Sequence, residues 1–308
     1  MVDVRIVRSK TELSGLSAEW NTLLERSGQE NVFLTWEWVS SWVDTRLDGG
    51  RLLTITAARD GELAAIAPFW IENRRAGGVL PLRVLRMTGS PDADYVDMIA
   101  KADDAAENAE LFWNQLFGPL RSEWDIFEYD DVPADSPVSR QFVARAKTDR
   151  RCVAVEVTGH SVCPYIELPD TWEKYLETFS RTGRYRVTYS ERRLRDQGDL
   201  EFLVCDDIED VDRHMSDFMA LHQKSWQEKG KPGAFATRTA REFHHRVARA
   251  MFLKNSLFLA SLRLDGEHIG SFYGFQRNKK VYYYLLGVKK NPVKRIKTGT
   301  ALLACCIR

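Results

Sequence analysis

Two Asp-Gly dipeptides, each set between apolar runs, constrain this chain more than any other feature. Asp60-Gly61 follows a strand-like stretch from Leu52 and precedes the apolar residues 63–71; Asp265-Gly266 separates residues 256–264 from 267–276. Asp and Gly tolerate the positive φ angles that a two-residue hairpin turn demands, so each dipeptide predicts an antiparallel hairpin. Laying residues 52–73 over 257–278 without a gap matches Asp60, Gly61 and Glu62 with Asp265, Gly266 and Glu267, Trp70 with Phe275, and Asn73 with Asn278. Any two Asp-Gly hairpins would align to some degree, but the elements around these two also recur in the same order, which favours an internal repeat.

In the first half, Leu13, Leu16, Trp20, Leu23 and Leu24 recur at helical spacing, and residues 33–47 continue as a tryptophan-rich helix. After the hairpin, a turn at residues 75–78 leads to a third strand at 82–87, a helix at 105–116 and a strand at 124–129. The second half predicts one long helix over 171–195, a strand at 200–205, helices at 211–227 and 238–253, then the second hairpin and a third strand at 281–288. The expectation is an α/β protein of two domains, 1–160 and 161–308, each with helices and a mainly antiparallel twisted sheet. A length of 308 residues agrees, since single cores stop growing at about 250–300 residues.

Lys plus Arg equals Asp plus Glu at 44 each, so no global field draws the chain onto DNA or anionic lipid. No stretch approaches the roughly 18 uninterrupted apolar residues of a membrane span, and residues 1–16 lack the apolar core of a secretory signal. A cytoplasmic protein is expected. The five cysteines, Cys152, Cys163, Cys205, Cys305 and Cys306, are scattered and form no CxxC pair, which predicts buried reduced thiols without a disulfide framework or zinc site. His244 and His245 are adjacent and diverge by about 100 degrees on a helix, so they predict no metal either.

The chemistry-bearing stretch follows the third strand of the second half. Residues 281–288 read as a strand, 289–296 as a loop and 297–304 as a helix start containing Gly299. Helix N-termini carry unpaired N–H groups and partial positive charge, and a glycine there lets a pyrophosphate approach the backbone. Lys297, Thr298, Gly299, Thr300 and Ala301 form that start, with Lys289, Lys290, Lys294 and Arg295 adding charge; an ordinary solvated basic loop is the alternative. His222 and Trp226 lie four apart and share a helix face, next to a Gly- and Pro-rich loop ending in Phe235, which suggests an acceptor pocket or a helix turning its aromatic rings inward. The arginine run at 181–195 would meet an acidic or phosphate-bearing partner, tRNA included, or remain a solvated face.

Residues 33–38 (Phe-Leu-Thr-Trp-Glu-Trp), 94–97 (Asp-Tyr-Val-Asp), 221–226 (Leu-His-Gln-Lys-Ser-Trp) with Lys229 and Gly230, Phe243 with His244, and the Gly299 helix start together resemble the GNAT-type acetyltransferases of the CelD-like, cellulose-biosynthesis group. A more distant similarity reaches the Fem-type aminoacyltransferases, which also have two GNAT-like halves. The resemblance implies acetyl-CoA or another acyl-CoA as co-substrate, a small-molecule or sugar-precursor amine as acceptor, and no metal. It places pantetheine on backbone N–H groups of Leu286, Gly287 and Val288, pyrophosphate on the Gly299 helix start, and a hydroxyl for the departing thiolate on Tyr284, whose bland alternative is sheet packing. The arginine or glutamine usual three residues before the glycine falls on Ile296, with Arg295 adjacent. The resembling family also continues past this helix, so a truncated cleft is expected. A noncatalytic module of polysaccharide synthesis and a tRNA-dependent aminoacyl transferase are the competing readings.

Overall fold

A computed structural model describes residues 2–47, 49–152, 154–156, 158–290, 293 and 296–308. The chain divides into two compact units, Met1–Thr158 and Gly159–Arg308.

The first unit runs β1 (Val2–Val7), α1 (Lys10–Ser14), α2 (Ser17–Arg26), α3 (Trp36–Arg46), β2 (Arg51–Arg59), β3 (Glu62–Ala76), β4 (Leu80–Met87), β5 (Ile99–Ala100), α4 (Ala105–Phe117), β6 (Ile126–Glu128) and α5 (Pro137–Thr148). Its sheet has the order β1-β2-β3-β4-β6, with β5 paired to β3. All pairs are antiparallel except β4 with β6, which run parallel. Trp20, Trp38, Trp42 and Trp113 are fully buried, and Trp42 meets Trp70 edge-on with ring centroids 4.9 Å apart. Such large aromatic side chains supply much of the apolar area that stabilises a core. A polar knot also lies within: the buried Asp97 carboxylate accepts from Ser136 Oγ (2.9 Å), Ser139 Oγ (2.5 Å), Gln29 Nε2 (3.0 Å) and its neighbour's Met98 N–H (2.8 Å). Burial raises its pKa against the opposing pull of those donors.

The second unit runs α6 (Trp172–Glu177), α7 (Arg181–Arg195), β7 (Leu200–Val204), α8 (Val211–Gln227), α9 (Arg238–Phe252), β8 (Leu257–Leu264), β9 (Glu267–Arg277), β10 (Lys280–Val288) and α10 (Thr298–Ile307). Its four strands are antiparallel in the order β10-β9-β8-β7. Strand alternation sends Ala260, Leu262 and Phe272 toward Leu194 of α7 and Ala301 and Leu302 of α10. Tyr273 takes the other face, against Phe218 of α8 and His244 of α9.

The two-part α/β architecture is as expected, and both Asp-Gly turns form. Asp60 and Gly61 have φ of 52° and 86°, Asp265 and Gly266 of 50° and 77°, as the two-residue hairpin requires. The two hairpins also share an irregularity that no residue pattern announces. Register slips between Ala57 and Ala58 opposite β3, and between Leu262 and Arg263 opposite β9, which are corresponding positions of the gapless overlay.

Three expectations change. The single helix over 171–195 is two, because Ser180 caps α7 by accepting from the Gly183 N–H (3.2 Å) after α6 has closed at Thr178. Strand β1 and helix α5 were not expected. Of the cysteines, Cys205 and Cys305 are buried but Cys163 is exposed, lying in an extended stretch that no helix or strand covers. Among the described residues no helix is long and apolar enough to cross a membrane.

Candidate functional site

The site is built on the edge of β10. Among the described residues no strand pairs with its outer side, and its register against β9 slips between Tyr283 and Leu285, leaving Tyr284 as the bulged residue. Past the bulge, Lys289 donates its N–H to the Ile269 carbonyl (2.9 Å). Antiparallel pairing alternates, so the backbone groups of Leu286 and Val288 turn away from β9 and those of Gly287 turn toward it. The outward Leu286 carbonyl meets His222 Nδ1 at 2.9 Å. Gly287 lies against α8 itself: an added Cβ would stand 3.0 Å from the His222 nitrogen and 3.1 Å from the Phe218 carbonyl oxygen.

The N-terminus of α10 adjoins this edge. A Cβ on Gly299 would be 3.8 Å from Val288 Cγ1 and 4.0 Å from Leu286 Cδ1, ordinary contact distances, so packing alone does not require a glycine there. Lys297 makes no side-chain cap, and its carbonyl accepts from Thr300 (3.0 Å) and Ala301 (3.2 Å). The N–H groups of Thr298 and Gly299 therefore have no acceptor inside the helix. Thr298 is buried and its hydroxyl has no hydrogen-bond partner among the described residues. Lys289 is paired with Glu267, while Lys290 and Lys297 carry no ion pair among the described residues. Lys294 and Arg295 lie outside the described residues.

Tyr284 packs its ring against His244 (5.6 Å between centroids), Tyr273 (5.5 Å) and Phe275 (5.7 Å) and is half-buried. Of the expected acceptor residues, His222 and Phe235 are enclosed, their rings 5.1 Å apart, and burial pushes the His222 pKa down. Trp226 is half-buried under two cations, Lys229 Nζ at 4.9 Å and Lys231 Nζ at 5.6 Å from its ring. Phe235 also lines an open cavity of about 560 Å³ bounded by Met219, Gln223, Pro232 and Arg241. Gln223 shapes that loop by donating to the Pro232 carbonyl (2.7 Å) and accepting from the Phe235 N–H (3.0 Å).

On α7, Arg195 pairs with Glu191 and Arg193 with Asp196, whereas Arg181 and Arg186 are exposed without an ion pair among the described residues. His244 is buried beside Tyr273 while His245 turns outward to Asp212 (3.1 Å), so the two rings diverge. Among the described residues no group of three or more His, Cys, Asp or Glu side chains converges as for a metal. Residue patterns missed the bulge, the His222–Leu286 bond and the lysines on Trp226. A run of three tyrosines signals a strand but says nothing of where its register slips.

The profile of the acetyltransferase (GNAT) domain matches residues 181–308, which lie within the second unit. The crystal structure of FemX superimposes over 99% of this chain and 85% of its own, with a TM-score of 0.64 and 11% identity. The fold is that of a double GNAT-like protein. A conserved protein of unknown function from Bacteroides thetaiotaomicron VPI-5482 superimposes over 100% of the chain and 87% of its own, with a TM-score of 0.52 and 11% identity. None of the curated proteins matches in sequence. In the GNAT-like second unit, the bulged β10 edge and the α10 N-terminus stand side by side.

Proposed function

We propose that the second unit carries an acyl-CoA-dependent N-acyltransferase site, with a small-molecule amine as acceptor. The observation that carries this reading is the outer edge of β10: bulged at Tyr284, unpaired by another strand among the described residues, and adjoining the Gly299 helix start. An extended, amide-bearing ligand can pair with such an edge as a further strand would, through the outward N–H groups of Leu286 and Val288. The residues present fit the phosphate end as well. Thr298 holds an unpartnered buried hydroxyl, Gly299 leaves a gap that a side chain would fill, and Lys290 and Lys297 add charge.

The acyl-CoA brings the activated thioester. Outward N–H groups on β10 would polarise its carbonyl, since fixed donors stabilise negative charge without reorganising. Thr298, Gly299, Thr300 and Ala301, with Lys297 and Arg295, would hold the pyrophosphate, and Tyr284 would offer its hydroxyl to the departing thiolate. Trp226 would face the acceptor, with the enclosed Phe235 behind it, and the acceptor's amine would attack once deprotonated. A sugar-precursor acceptor, within the CelD-like reading, belongs to this same hypothesis. Calorimetric titration with acetyl-CoA tests it: saturable binding is expected, and no saturable heat with either acetyl- or longer acyl-CoA would sink it.

A second reading, transfer from an aminoacyl-tRNA as in the Fem-type enzymes, draws on the unpaired Arg181 and Arg186 of α7. It predicts RNA binding that weakens steeply with salt. Salt-independent or absent RNA binding would remove it.

A further inference from the structure

We propose that His222 is a positioning residue for the β10 edge: it holds the Leu286 carbonyl and so sets the outward backbone of Leu286 and Val288, without touching the ligand itself. This rests on the reading of β10 as the acyl-CoA strand, and it moves His222 out of the acceptor pocket.

The geometry determines the histidine's chemistry. A carbonyl can only accept, so Nδ1, at 2.9 Å from the Leu286 oxygen, carries the proton. Nε2 is then a bare lone pair. It is buried and has no hydrogen-bond partner among the described residues, in a ring set among Phe218 (5.8 Å), Trp226 (5.9 Å) and Phe235 (5.1 Å). Enclosed in this way, Nε2 can reach neither an incoming amine nor water, so the ring serves neither as a base nor as a ligand contact. What remains is its bond to β10, and the neighbouring residues are arranged around that bond. Gly287, next in the chain, lets the α8 backbone approach so closely that an added Cβ would be tighter than in most side-chain contacts. The Tyr284 bulge, two residues earlier, releases β10 from its regular register. Beyond the bulge the β9 ladder resumes and holds the inward groups of Gly287 and Lys289, but it makes no bond to the outward ones. His222 ties the strand to α8 at the carbonyl between the two outward N–H groups, those of Leu286 and Val288.

Two variants of the full chain test this. His222→Phe keeps the ring size and removes the donor; His222→Asn presents an amide donor near the position of Nδ1. Amide hydrogen exchange at Gly287 and Lys289 is expected to rise about tenfold in H222F, the size of effect expected when one acceptor is left unpaired, and to return to within about threefold in H222N. Acetyl-CoA affinity is expected to follow the same order, weakening about tenfold in H222F with substantial recovery in H222N. Exchange unchanged in H222F, or raised equally in both variants, overturns the proposal, because a histidine that merely fills the core would not be rescued by a smaller donor. Should H222F fail to fold, nitrogen NMR of the wild-type ring decides: a protonated Nδ1 with a bare Nε2 supports the proposal, and the opposite tautomer overturns it. If acetyl-CoA does not bind the wild type, the acyltransferase reading fails, while exchange and tautomer still judge the bond.

Discussion

The strands β2, β3 and β4 of the first unit and β8, β9 and β10 of the second begin alike and end differently. Both meanders open on the same Asp-Gly turn and slip register at corresponding positions. In the first, β6 then pairs with β4 in parallel, Val84 with Ile126 and Arg86 with Glu128, so the third strand is interior. In the second, β10 is the edge strand among the described residues, with His222 on its outward Leu286 carbonyl and a helix start beside it. The difference teaches that one hairpin plan can end as scaffold or as a binding edge, according to whether the third strand's backbone is used up by a neighbour.

The strongest test of likeness is at the matched buried positions. Phe275→Ala and Trp70→Ala are each expected to cost about 3–5 kcal/mol, read by denaturant unfolding. If either costs less than about 1 kcal/mol, the two hairpins are not equivalent cores. Gly287→Val comes next, at about 1–3 kcal/mol, because the added carbons press on α8 backbone that cannot rotate aside. A neutral result in thermal melts would mean that α8 and β10 stand further apart than described.

Titration should separate the buried histidines of the second unit from Asp97 of the first by sign. Burial lowers the pKa of His214, His222 and His268 in the second unit, aided by Arg213 at His214 and by Lys229 at His222. A lowered histidine pKa means that the unfolded chain binds the proton more readily. This contribution is therefore complete above about pH 6.5 and is lost as pH falls below it. Asp97 of the first unit behaves oppositely, since its raised pKa favours the protonated folded form and its contribution falls as pH rises from the ordinary carboxylate value. Denaturation midpoints of the second unit at pH 7.5 and 5.5 check the first statement; no loss on acidification would refute it.

Smaller effects probe the edge itself. Gly299→Ala should leave stability equal or slightly raised, since the added Cβ meets only ordinary contacts and alanine favours a helix, yet weaken acetyl-CoA binding about tenfold. Lys290→Ala and Lys297→Ala should each weaken it by about two- to fivefold, and less in high salt. Equal loss at all salt concentrations would place these lysines elsewhere than beside a phosphate.

Much of this was legible in the residues. Helix α8 shows its buried positions, Val211, Met215, Phe218 and His222, at regular helical spacing, and the Asp-Gly turns named both hairpins because that dipeptide satisfies a backbone demand few others meet. What stayed hidden was non-local. The parallel pairing of β4 with β6 joins strands separated by a helix, and no composition within either one announces it. His222 and Leu286 stand far apart in sequence, so spacing could put His222 beside Trp226 but not on a carbonyl of another element. The break before α7 was local and still missed, because Ser180 reads as an ordinary helix residue until its hydroxyl is seen capping Gly183.

The matched register slips have a further consequence. A bulge counts residues: everything beyond it changes face by one step, so two hairpins whose bulges coincide remain in phase along their whole length. Residues 257–277 grafted in place of 52–72 would therefore keep the paired backbone of the two strands in step, except at Tyr273, whose N–H meets a host position held by Pro68, and except beyond Arg277, where β9 turns at Asn278 while β3 runs on through Asn73 to Ala76. In this protein the two hairpins share one backbone phase from the Asp-Gly turn outward, and their specialisation lies in the strand that follows.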